Sequence, residues 1–212
     1  VYTGRPYDES RILYWGDAEG APVYTYYKDE DGAQGEPLTA TPLHAGSYWV
    51  AGSIRDTASA AAPFEIGKAP MTVRARNADI LYGDAPQIGG AVCTGLVGSD
   101  TESAVAVRWQ YGCTRFDDVG TYSILPECEA QDYEITAVPG TLTVSPRELG
   151  LVWRGMEELF WDGREKHITA EAVGLLNGDK LSVRVEDGVQ TAPGRYTARA
   201  VGLSGAKAGN YR

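Results

Sequence analysis

Histidine, methionine and phenylalanine are scarce here, numbering 2, 2 and 3 among 212 residues. His44 and His167 lie far apart in the chain, and neither sits in an H-E-x-x-H motif. G-x-S-x-G and phosphate-loop motifs are also missing, which removes the usual signatures of zinc peptidases, serine hydrolases and nucleotide hydrolases. The three cysteines, Cys93, Cys113 and Cys128, match no metal-ligand spacing. No apolar run approaches the roughly 18 residues of a membrane-spanning helix, so no membrane insertion is expected within these residues. No signal-peptide pattern opens the chain at Val1. Basic residues are outnumbered 19 to 29, for a net charge of −10. With no basic stripe to neutralise phosphates, the charge argues against nucleic acid and anionic lipid as partners. The acidic excess reads as solubility.

What the chain does hold is 26 glycines, 11 prolines, 13 tyrosines and 5 tryptophans. Aromatic and β-branched stretches punctuated by glycine and proline read as short strands and turns. Val23 to Lys28 is one such strand, followed by a hairpin turn at Asp31-Gly32. The acidic run Asp29 to Asp31 suits that turn better than a calcium loop, because the remaining ligands of an EF-hand are missing. Met71 to Arg76 and Gly140 to Ser145 alternate apolar and polar residues, as half-buried strands do. Nothing supports a long helix.

One signal organises these strands. Gly46-Ser-Tyr48, Gly120-Thr-Tyr122 and Gly194-Arg-Tyr196 share a Gly-x-Tyr pattern, and their glycines are spaced evenly (120 − 46 = 194 − 120 = 74). Even spacing of one signal means tandem modules of one kind. The physical expectation is a tyrosine corner, with a glycine entering a strand and a tyrosine whose hydroxyl bonds backbone upstream while its ring lies on the core. Around it recur Tyr2-Thr-Gly4, Tyr82-Gly83-Asp84 and Trp161-Asp162-Gly163, the turns Gly95 to Asp100 and Gly174 to Asp179, and the pairs Asp132-Tyr133 and Asn210-Tyr211. The chain therefore divides into modules at 1–68, 69–146 and 147–212. The expected fold is all-β, three small Ig-like or Greek-key sandwich domains in an elongated array, with a β-grasp arrangement left open. By this alignment the first module lacks its first strand and the third its closing strand, as in a fragment of a longer array.

These residues resemble the MBG and YDG-type repeats of large bacterial surface proteins. The shared marks are the Tyr-Gly-Asp and Trp-Asp-Gly openings, the Gly-Leu-x-x-x-Asp turn, Gly-x-Tyr, Asx-Tyr and Gly-Thr-Leu-Thr-Val. The first module lacks the Gly-Leu-x-x-x-Asp turn and is more similar to a bacterial immunoglobulin-like repeat. The resemblance implies extracellular, cell-surface or secreted modules, adhesive or stalk-like, with neither catalysis nor cofactor. A carbohydrate-binding region of a secreted polysaccharide-degrading enzyme is the alternative.

Candidate interaction residues are aromatic. Trp15 and Tyr27 mark the face expected to meet an unknown protein or glycan ligand, although in small modules such rings more often fill or cover the core. Among the cysteines, Cys113 and Cys128 flank a hairpin that holds them roughly 23 Å apart. Cys93 to Cys128 is the expected bridge, and three unpaired thiols the alternative.

Overall fold

The computed structural model describes residues 1–12, 19–55, 57–157 and 159–212. Trp15, half of the expected ligand-binding face, lies outside the described residues. The protein is all-β. Its first part contains β1 (Val23–Glu30), β2 (Ala33–Pro37), β3 (Gly46–Ile54), β4 (Thr57–Ala58) and β5 (Ala62–Ile66). The middle holds β6 (Ala69–Ala75), β7 (Ala78–Leu81), β8 (Ala91–Thr94), β9 (Ala106–Tyr111), β10 (Gly120–Glu129), β11 (Tyr133–Val138) and β12 (Gly140–Ser145). The last part has β13 (Gly150–Arg154), β14 (Lys166–His167), β15 (Thr169–Val173), β16 (Ser182–Glu186), β17 (Val189–Gln190) and β18 (Arg199–Ser204).

The first sheet runs β2-β1-β3-β4, with β5 also paired to β3. Asp31 and Gly32 both take positive φ, 53° and 84°, the two left-handed positions a tight hairpin between β1 and β2 demands. Asp29 holds that corner, accepting from Gly32 N (3.2 Å) and from the Trp49 indole of β3 (2.7 Å). Tyr27 faces Trp49 in register and is half-buried.

The middle strands form the sheets β7-β12-β10-β9 and β11-β6-β8. Two of their pairings are parallel, β6 with β11 and β7 with β12, so this part is not an all-antiparallel meander. Along β12, Gly140, Leu142 and Val144 are buried while Thr141, Thr143 and Ser145 are half-exposed, the period of two that a pleated strand imposes. The last part makes three two-stranded ladders, β13-β15, β14-β17 and β16-β18.

The chain packs into two compact units. One comprises residues 1–74, 91–109 and 126–138, the other 75–90, 110–125 and 139–212. The first gathers Tyr2, Ile66, Ala69, Met71, Val73, Val105 and Tyr133 into one core, with Tyr48, Phe64, Cys93 and Cys128 packed against it. The second buries Ile80, Tyr82, Ile124, Leu142, Val144 and Tyr211. Each such aliphatic side chain contributes about 1.5–3 kcal/mol on leaving water.

The Cys93–Cys128 bridge is not formed; all three cysteines are free thiols. Cys93 and Cys128 instead fill the flank of the first core as small apolar groups, the ordinary behaviour of a packed thiol. Burial pushes all three thiols above their usual pKa.

Candidate functional site

The Gly-x-Tyr corners are built as hydrogen-bonded devices. Tyr48 Oη donates to His44 O (3.0 Å), Tyr122 Oη to Asp118 O (2.6 Å) and Tyr196 Oη to Ala192 O (3.1 Å), four residues upstream each time. Each ring lies on its own glycine: a Cβ at Gly46 or Gly120 would touch the tyrosine ring two residues on, at 3.5 and 3.7 Å, and one at Gly194 would collide with it at 2.9 Å. The rings are less buried than the corner pattern leads one to expect. Tyr48 and Tyr122 are half-buried and Tyr196 is exposed, because the ring covers its own corner and the hydroxyl reaches the rim.

The other recurring residues converge on a feature that appears once in each compact unit. In the first unit, Tyr2 Oη (2.9 Å) and Tyr133 Oη (2.5 Å) both donate to Asp100 Oδ2, and Val97 N donates to Tyr133 Oη (3.1 Å). The two rings meet edge to face, with centroids 5.6 Å apart. In the second unit, Tyr82 Oη (2.9 Å) and Tyr211 Oη (2.6 Å) both donate to Asp179 Oδ2, and Leu176 N donates to Tyr211 Oη (3.0 Å). Their rings are again edge to face, at 5.3 Å. Every member of the first set has its counterpart about 80 residues on. We call the arrangement a clasp.

A second layer ties each clasp to a corner. Asp132, just before Tyr133, accepts from Ala45 N (2.7 Å), and its other oxygen lies 2.8 Å from His44 Nδ1. Asn210, just before Tyr211, accepts from Val119 N (2.8 Å) and donates to Asp118 Oδ1 (2.8 Å), which Lys207 also reaches at 2.5 Å. Ala45 and Val119 directly precede the corner glycines. Asn210 is buried, yet its amide is satisfied on both sides. The donors Asn210 and Lys207 hold the Asp118 carboxyl below its usual pKa.

The backbone repeats the same plan. Ala69 N donates to Asp132 O and Arg147 N to Asn210 O, both at 2.9 Å, while Tyr2 N reaches Gly67 O and Tyr82 N reaches Ser145 O. Tyr133 pairs in parallel with Ala69, and Tyr211 with Arg147. The second clasp has additional cationic support. Arg147 Nε donates to Tyr82 O (2.6 Å) while its guanidinium pairs with Asp84, and Arg115 Nε donates to Gly83 O (2.5 Å).

Burial governs the protonation of these phenols. Tyr2, Tyr82 and Tyr211 are each pushed up to about 12, first by desolvation and then by the neighbouring aspartate, and Tyr133 is raised for the same reasons. The phenols therefore remain hydrogen-bond donors at every physiological pH. A neutral phenol donating to an aspartate side chain makes a stable contact.

The recurring stretches of the sequence contain Tyr2, Tyr82, Asp100, Tyr133, Asp179 and Tyr211, but the sequence does not join them. The discoverable signal was a lone aspartate, Asp100 and Asp179, standing 33 and 32 residues before the tyrosine of an Asx-Tyr pair in consecutive repeats. Tyr27 takes no part in either clasp, and neither do the two histidines as a pair: His44 meets Asp132, and His167 lies 3.4 Å from Glu165.

With this geometry in hand, the comparisons are informative about the middle of the chain. Residues 71–143 match the family model of the MBG domain, YGX type. That stretch contains Tyr82-Gly83-Asp84, the opening of the second clasp. No curated protein matches the chain.

Proposed function

We propose that this chain is a non-catalytic spacer, a run of MBG-like modules from a bacterial surface or secreted protein, in which each module is locked to the next by a tyrosine–aspartate clasp. The observation that carries this reading is the duplication itself. The same four groups, two phenols, one carboxylate and one backbone amide, meet once inside each compact unit and each time join residues of two successive sequence repeats. A contact built twice from the same groups suits an array under tension, since its weakest joint sets its strength. The resemblance of residues 71–143 to MBG domains supports an extracellular setting.

The carboxylates agree with this reading. Among the described residues, Asp8, Asp118 and Asp162 are pulled below the usual carboxylate range by nearby donors, as structural carboxylates are. Single-molecule stretching of the full chain tests the reading. The expected result is that Asp100→Ala and Asp179→Ala each lower the force at which the adjoining module opens. Saturable binding of a glycan at micromolar concentration, abolished by Tyr27→Ala, would instead make the chain a carbohydrate-binding region and overturn the spacer reading.

A further inference from the structure

The third sequence module contains a groove that the first two modules fill. In the first module the corner segment of β3 is covered by β5, with Tyr48 opposite Phe64 and Gly46 opposite Ile66. In the second, the corner segment of β10 is covered by β12, with Tyr122 opposite Leu142, Gly120 opposite Val144 and Ile124 opposite Gly140. Both covering strands run antiparallel to the corner, and both set a large apolar residue against the tyrosine and a β-branched one against the glycine. In the third module, residues 191–198 around Tyr196 form no strand, and no described strand lies along them.

The residues that a covering strand would touch are exposed to match. In the second module β7 lies beside β12, and its Ile80 is 5% exposed, followed by Tyr82 at 0%. Their counterparts by alignment, Leu159 and Trp161, are 56% and 46% exposed, and Phe160 between them is almost fully in water. Leu159, Trp161, Ile168 and Tyr196, with Lys166 and Gln190, line a groove of about 350 Å³. Leu159 stands in solvent where its counterpart Ile80, paired with Val144 of β12, is buried, and with Phe160 and Trp161 it forms an uncovered apolar rim beside the groove.

We propose that this groove is a strand-binding site, and that its occupant is an extended segment of the β12 kind, the covering strand of an MBG-like module. The two filled grooves fix the register. The segment runs antiparallel to residues 194–198, with a leucine or phenylalanine opposite Tyr196, an isoleucine or valine opposite Gly194 and a small residue opposite Ala198. Main-chain hydrogen bonds to the free edge give affinity, and the two alternate apolar side chains give specificity, as in strand addition generally. The groove's chemistry is the same whether or not the chain acts as a spacer.

The test extends the full chain after Arg212 with Ile-Thr-Ala-Val-Pro-Gly-Thr-Leu-Thr-Val-Ser, the sequence of residues 135–145. In the parallel alignment Arg212 corresponds to Glu134, so the extension continues in phase. The control is the same extension carrying L142D and V144D in the copied segment. Amide hydrogen exchange across residues 191–198 is expected to slow at least tenfold with the first extension relative to the control, and Trp161 to lose access to acrylamide. Equal exchange in the two proteins would overturn the proposal. So would protection of residues 191–198 in the unextended chain that grows with concentration and accompanies a dimer, because a second copy would then be the occupant. Glycan binding, which counts against the spacer reading, moves none of these readouts.

Discussion

The rings of Tyr82 and Tyr211 meet at an interplanar angle of 74°, and their hydroxyls end on the same oxygen of Asp179. One carboxylate oxygen thus fixes two buried phenols that lie far apart in the chain, and their edge-to-face contact adds about 0.5–1.5 kcal/mol. Tyr2 and Tyr133 stand to Asp100 in the same relation.

Removing either carboxylate leaves two buried hydroxyls without an acceptor. Asp179→Ala and Asp100→Ala should each cost about 3 kcal/mol, the sum of two lost charge-assisted bonds partly offset by relaxation. Asp179→Asn, which keeps an acceptor oxygen, should cost less than half as much. Urea unfolding followed by tryptophan fluorescence measures both.

The phenols also predict how stability responds to alkali. Their folded pKa of about 12, for Tyr2, Tyr82 and Tyr211, lies above the unfolded value of 10.0. Between these values the unfolded chain has released protons that the folded chain retains, so stability falls as pH rises. The contribution is complete below pH 10 and declines from there toward pH 12. Absorbance at 295 nm during alkaline titration should show these tyrosines ionising late and together with unfolding. Early, independent ionisation of all 13 tyrosines would count against buried clasps.

The Gly-Leu turn that carries each clasp aspartate makes a graded prediction. Gly95 and Gly174 both take positive φ, +97° and +89°. A Cβ at Gly95 would also stand 2.6 Å from Pro70 O, whereas one at Gly174 would meet nothing within 4 Å. Gly174→Ala should therefore cost about 1 kcal/mol, for backbone strain alone. Gly95→Ala should cost about 3 kcal/mol, since the β6 backbone must shift as well. Thermal unfolding of the two variants gives the ranking directly.

Free thiols packed in a core carry a simple consequence. Cys93, Cys113 and Cys128 should react with iodoacetamide slowly in the native protein at pH 8 and rapidly in urea, because burial holds each thiol protonated. Reductant should leave the unfolding midpoint unchanged. A Cys93–Cys128 peptide in a non-reducing digest would contradict this account.

Strand content was legible where one face is buried. β6 and β12 alternate in sequence because one side of each packs against a core, and the structure places them as strands with that alternation. The parallel pairings of β6 with β11 and β7 with β12 were not legible, since register between distant segments leaves no local mark. The clasp was half legible. Its residues announced themselves by recurring, but Tyr2 and Asp100 are 98 residues apart and Tyr82 and Asp179 are 97 apart. A repeat period states that two positions are equivalent, never that two others touch. The Gly-x-Tyr signal was read for its strand and its upstream hydrogen bond; that the ring lies on its own glycine depends on a side-chain rotamer that no pattern encodes.

Two phenols on one carboxylate oxygen should act as one coupled unit. A double-mutant cycle of Tyr82→Phe and Asp179→Ala, read by urea unfolding of the full chain, measures that coupling directly. The double variant should be more stable than the sum of the single losses implies, by about 1 kcal/mol or more, because the phenol hydroxyl has no acceptor once the carboxylate is gone. Strict additivity of the two losses would contradict it.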